Sequence, residues 1–212
     1  MPLPVPLHMP MSWPELTALL VFATAMAFTP GPNTTLAAAL AANHGLRHAM
    51  RFVLAVPFGW GLLLLGCALG LGALIQAQPA LRGLLKWGGL AYMLWLAWKL
   101  AQTTRLGALQ VDDPRRFDVG FGKGVALQFV NIKAWMNALL ISAGWITVAT
   151  PIWPRLALVL PLMMAYGLAS NFTYALIGSS LRGWLAVDAR LAWFNRALAL
   201  VLVATAAWMA WL

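Results

Sequence analysis

Residues 13–42 read WPELTALLVFATAMAFTPGPNTTLAAALAA. A helix needs about 20 apolar residues to cross a hydrocarbon layer, and this run exceeds that but is interrupted by Pro30, Gly31 and Pro32. Each proline lacks a backbone N–H and clashes with the preceding turn, so a pair of them flanking a glycine disrupts a helix. The run is therefore expected to be one crossing built from two half-helices, or one sharply kinked helix. Five more apolar runs follow, at about residues 52–75, 84–101, 124–148, 156–181 and 191–212. Together they predict an all-α integral membrane protein of six transmembrane helices.

Composition agrees with that reading. Of 212 residues, 62% are hydrophobic and 9% charged, whereas a soluble domain carries about a quarter charged residues. A net charge of +9 would point to nucleic acid in a soluble protein, but these basic residues fall between apolar runs, so no nucleic-acid partner is expected. Cys67 is the single cysteine, which excludes an internal disulfide and a cysteine-built metal site. The segment up to Pro14 has no Lys or Arg and lacks the basic start of a secretory signal, so the first apolar run is expected to be retained; Met9 and Met11 are alternative starts.

The long polar connection, residues 103–123, holds Asp112, Asp113, Arg115, Arg116 and Asp118. It separates halves at about residues 13–101 and 124–212 within a single transmembrane domain spanning residues 1–212. Three helices per half send the second half into the membrane from the opposite side, as in inverted-repeat transporters. Arg47, Arg51, Lys99, Arg105, Arg115, Arg116, Lys123, Arg182, Arg190 and Arg196 fall on one side, against Arg82, Lys86 and Arg155 on the other. By the positive-inside rule the first side is cytoplasmic, with both termini and the terminal tryptophans outside.

At 1.5 Å of rise per residue, Asn33, Asn131 and Asn171 all lie roughly 12–15 Å in from the cytoplasmic edge. Amides in hydrocarbon are costly unless hydrogen-bonded, so a common depth points to a shared polar cavity; helix-packing contacts are the alternative. Lys133, in Gln128-Phe129-Val130-Asn131-Ile132-Lys133, is the one Lys or Arg without a membrane edge to belong to. A charge there costs at least roughly 2.5–3.5 kcal/mol on insertion scales and calls for a partner or water, unless the long stem snorkels to the edge. Gly167, Asn171, Tyr174 and Gly178 share one helical face. The break at residues 29–33 adds unpaired backbone groups: amides around Asn33, Thr34 and Thr35 suit a carboxylate, and carbonyls before Pro30 suit an ammonium. A zwitterion satisfies both. Gly59, Gly61, Gly66, Gly70 and Gly72 are expected to serve close helix packing, with Gly66 and Gly70 forming a GxxxG pair. No membrane carboxylate pair, HExxH, GxSxG or phosphate loop is present, which argues against an enzyme and gives no cofactor a binding motif.

The TPGPN of residues 29–33, His44-Gly45-Leu46-Arg47, the stretch from Leu85 to Tyr92 running into Trp95 and Trp98-Lys99, and Ala126 to Lys133 together resemble the LysE/RhtB superfamily of amino-acid exporters, over nearly the whole chain. Within it, Leu127 to Lys133 and Ser170-Asn171-Phe172 to Tyr174-Ala175-Leu176 look most like the cysteine and O-acetylserine exporter branch. The resemblance implies a proton-driven secondary exporter in a bacterial inner membrane. It also implies a small amino-acid-like solute, with the lipid bilayer and protons as further partners; a homo-oligomer stays open. The family's usual Asn-Pro-Lys is Asn-Ile-Lys here, which weakens the expectation of a second helix break at Asn131. Pro30, Gly31, Pro32, Asn33 and Thr34 are expected to shape the site, and Gln128, Asn131, Lys133, Asn171 and Tyr174 to line it. A passive channel and a non-transporting scaffold are the competing classes. A channel calls for a continuous polar stripe, and a scaffold leaves the intramembrane lysine unexplained.

Overall fold

In a computed structural model, residues 10–103, 119–187 and 189–211 are described. Most of the connection between the halves, including Arg105, Asp112, Asp113, Arg115, Arg116 and Asp118, lies outside the described residues, as do Met9 and Leu212. The described chain is all helical: α1 Trp13–Phe28, α2 Pro32–His44, α3 Leu46–Ala68, α4 Leu71–Ala77, α5 Pro79–Ala101, α6 Phe121–Val130, α7 Ile132–Ile141, a π-helical turn Ser142–Ile146, α8 Trp153–Ser180, α9 Arg182–Leu185 and α10 Arg190–Trp211. Among the described residues, α3, α8 and α10 are each long and apolar enough to cross a membrane, and α6 with α7 and the π-turn forms a fourth candidate bent by 70°.

Local chemistry accounts for the boundaries. Ser12 and Glu15 close a capping box on α1, in which the Ser12 amide donates to Glu15 at 2.7 Å and the Glu15 amide to the Ser12 hydroxyl at 3.4 Å. Pro30 and Pro32 separate α1 from α2. The expected kink is thus a full break, with Gly31 extended between the two helices. At Gly70 the backbone takes φ +109°, and a Cβ there would meet nothing within 4 Å. Gly70 therefore ends α3 through its left-handed conformation and packs against no helix, contrary to the GxxxG reading. Gly59 and Gly61 do sit in tight interfaces, the first against the Val125 backbone and the second against the Met164 sulfur.

The alanine-rich α2 is the centre of the bundle, buried from Thr34 to Asn43. It packs on α8, α3 and α10; α3 packs on α6, α7 and α8, and α5 on α10. At Gly178 on α8 a Cβ would fall 2.1 Å from the Ala38 carbonyl oxygen on α2, so only glycine permits this approach. Polar contacts tie the two ends. At one, Glu15 pairs with Arg155 at 3.0 Å, and Arg155 also donates to the Trp145 carbonyl. At the other, Asn43, fully buried, exchanges amide hydrogen bonds with Asn195 at 3.0 and 3.1 Å; Asn195 donates in turn to the Thr103 carbonyl.

Candidate functional site

The α1–α2 break and the α6–α7 junction face each other. At the junction the helix ends at Val130, Asn131 becomes extended, and its side chain accepts from the Ala134 amide at 3.4 Å as the cap of α7. The Phe129 carbonyl freed by the bend accepts from the Trp135 indole at 2.8 Å. A second break thus exists without the family's proline, because an asparagine cap and a tryptophan satisfy the backbone groups that the bend releases.

Asn33 links the two breaks. Its amide donates to the Gln128 carbonyl oxygen at 2.8 Å and its own oxygen accepts from Gln128 at 3.2 Å and Asn131 at 3.3 Å. Gln128 is fully buried behind this pair. The Gly31 amide donates to the Thr34 hydroxyl at 3.0 Å. Lys133, on the first turn of α7, reaches into the break and donates to the Thr29 carbonyl at 2.9 Å. The room for it comes from Gly31, where a Cβ would lie 3.1 Å from both Cδ and Nζ of Lys133.

Lys133 thus turns its amine into the break. It also overturns the expectation that the carbonyls before Pro30 are free. Those of Ala27, Phe28 and Thr29 accept from Ser170, Tyr174 and Lys133 respectively. The orphan carbonyls at the end of α1 are each engaged by a side chain from α8 or α7.

A cavity of about 100 Å³ adjoins the breaks, room for several waters or one small solute when a single water needs roughly 10–15 Å³. Of the residues predicted for the site, Gly31, Pro32, Asn33, Thr34, Asn131, Lys133 and Asn171 line it. Pro30, Gln128 and Tyr174 do not: Pro30 is exposed, Gln128 backs Asn33, and Tyr174 caps α1. Asn171 donates to the Gly167 carbonyl at 2.7 Å and does not bond the other asparagines. Sequence reasoning missed Asn137, Trp60 and Met163 in the lining. Asn137 stands four residues after Lys133, hence on the same face of α7, and that spacing was the available signal. Among the described residues, no Asp or Glu lines the cavity and no cluster of three or more potential metal ligands occurs.

Residues 24–211 match the family model described as LysE type translocator. Curated relatives include the cysteine/O-acetylserine efflux protein of Klebsiella pneumoniae, 32% identical over 165 residues, covering 77% of this chain and 81% of that one. Those of Salmonella typhimurium and Escherichia coli O9:H4 are likewise 32% identical, over 163 and 164 residues, covering 77% of this chain and 82% of each. No solved structure matches the chain. With a match across nearly its full length and long apolar helices to carry it, this chain belongs to the LysE type translocators and is a multi-pass membrane transporter, not an enzyme.

Proposed function

We propose that the chain is a secondary active exporter of a small amino acid or derivative, cysteine- or O-acetylserine-like, in a bacterial inner membrane and driven by the proton gradient. The observation that carries this reading is Lys133, an amine held at a double helix break on the wall of a small cavity that no Asp or Glu lines among the described residues. A solute carboxylate is its natural partner, and the α2 N-terminus at Asn33 and Thr34 adds a favourable field for the same group. Lys133 also takes the role of the coupling group, since among the described residues no Asp or Glu lines the cavity. The printed names of the relatives supply the solute class.

The test is export of labelled amino acids from liposomes containing the purified chain, with and without an imposed pH gradient. Small neutral amino acids, cysteine among them, are expected to leave faster than from protein-free liposomes, and faster still with the gradient. Release of none of the panel would end the reading.

The six crossings are assigned to α1 with α2, α3, α5, α6 with α7, α8, and α10. Exchanging the first three for the last three turns the α2–α8 contact into the contact of α3 with α6 and α7, and returns α3–α8 and α5–α10 to themselves. That pattern supports two related halves; three crossings in each invert the second against the first, and the charge bias makes the linker at residues 103–123 cytoplasmic. In a Cys67→Ser background, a cysteine added after Leu212 is expected to react with an impermeant reagent from outside, and one within the linker only after permeabilisation. A protected C-terminal cysteine would overturn the orientation.

A further inference from the structure

With the carbonyls at the end of α1 each engaged by a side chain, the buried side-chain acceptors left without any donor lie elsewhere in the lining. Asn137 and Asn171 both line the cavity, and each keeps a buried side-chain oxygen without a hydrogen-bond partner; among the described residues the one other such buried atom is Nε of Arg155. At Asn171 the amide nitrogen is committed to the Gly167 carbonyl at 2.7 Å, so the oxygen is the atom left over. A desolvated acceptor without a donor is costly, and each case in a folded protein requires a reason. Asn137 lies four residues from Lys133 on α7, about 6 Å along the helix axis.

We propose that Asn137 and Asn171 bind the ammonium of the exported zwitterion through their side-chain oxygens, so that the site admits amino acids and discriminates against carboxylic acids lacking the amino group. The assignment rests on the proposed export function and names how that site reads its solute. Neutral oxygens satisfy an ammonium that already has its own carboxylate nearby. With Lys133 present and, among the described residues, no Asp or Glu in the lining, they offer no compensation for an additional positive charge, so basic amino acids are disfavoured as well.

The experiment uses the full chain in liposomes, with the amino acid exported in the panel above and its deaminated counterpart, L-cysteine and 3-mercaptopropionate in the first instance. Wild type should export the amino acid in clear preference. Asn137→Leu and Asn171→Leu should each slow amino-acid export by about tenfold, the cost of a hydrogen bond to a charged group, and leave the deaminated acid at its wild-type rate. Asn137→Asp keeps an acceptor and should retain amino-acid export, which also establishes that the position tolerates substitution. Equal wild-type rates for the two solutes, or a parallel fall in both with the leucine variants, would overturn the assignment. So would unchanged amino-acid export in both leucine variants, the result expected if the oxygens merely hold water. In these three cases wild type still exports amino acids and the proposed function stands; a wild type exporting no amino acid removes both.

Discussion

Lys133→Met is expected to reduce export by about a hundredfold or more, the scale of removing one partner from a desolvated, hydrogen-bonded charge pair, while the protein still reaches the membrane in normal amounts. Methionine retains much of the stem and removes the amine that donates to the Thr29 carbonyl at 2.9 Å. Lys133→Arg keeps a charge that hardly titrates and is expected to fail too, because the proposed coupling requires the group to give up its proton within the cycle. Initial rates of labelled amino-acid efflux from liposomes, with and without a pH gradient, separate the cases. Wild-type rates for Lys133→Met would remove Lys133 from the transport site. An Arg variant that exports and still responds to the gradient would move proton coupling to another group.

The second large effect is structural. Gly178→Ala is expected to destabilise the protein toward the upper end of the ~1–3 kcal/mol typical of overpacking. Its methyl carbon would stand 2.1 Å from the Ala38 carbonyl oxygen, a backbone atom that yields only if α2 and α8 separate. Gly122→Ala is the control, since a Cβ there meets nothing within 4 Å. Thermal unfolding of the detergent-solubilised variants should show an earlier transition for the first and little change for the second. Coincident transitions would mean that the α2–α8 seam opens at no cost.

The sequence announced some of these features and hid others, for identifiable reasons. Pro30 and Pro32 act on the backbone directly, so the first break was legible. The break at Asn131 was obscured because Ile132 carries no such constraint; what bends the chain is a side-chain cap and the Trp135 bond to the Phe129 carbonyl, contacts that depend on where a side chain points. Lys133 stands out through its cost in hydrocarbon, whereas Asn137, a neutral amide in an apolar run, offers only its four-residue spacing from Lys133 as a signal. Tyr174 was read as lining because it shares a face with Asn171; three residues further along α8, that face has passed the cavity and meets the end of α1. Gly70 shows the opposite failure, since a spacing common in packed helices also arises where a glycine simply ends one.

The two breaks differ in what they would permit. Pro30 and Pro32 have no N–H to return to a helix, so the elbow between α1 and α2 is permanent. From Val130 to Ile141 there is no proline, and every residue keeps its N–H. Nothing covalent forbids a straight rod there. The bend is held by the Asn131 cap, the Trp135 bond and the hydrogen bond between Asn131 and Asn33, so one elbow of this molecule is fixed by its backbone and the other is only latched.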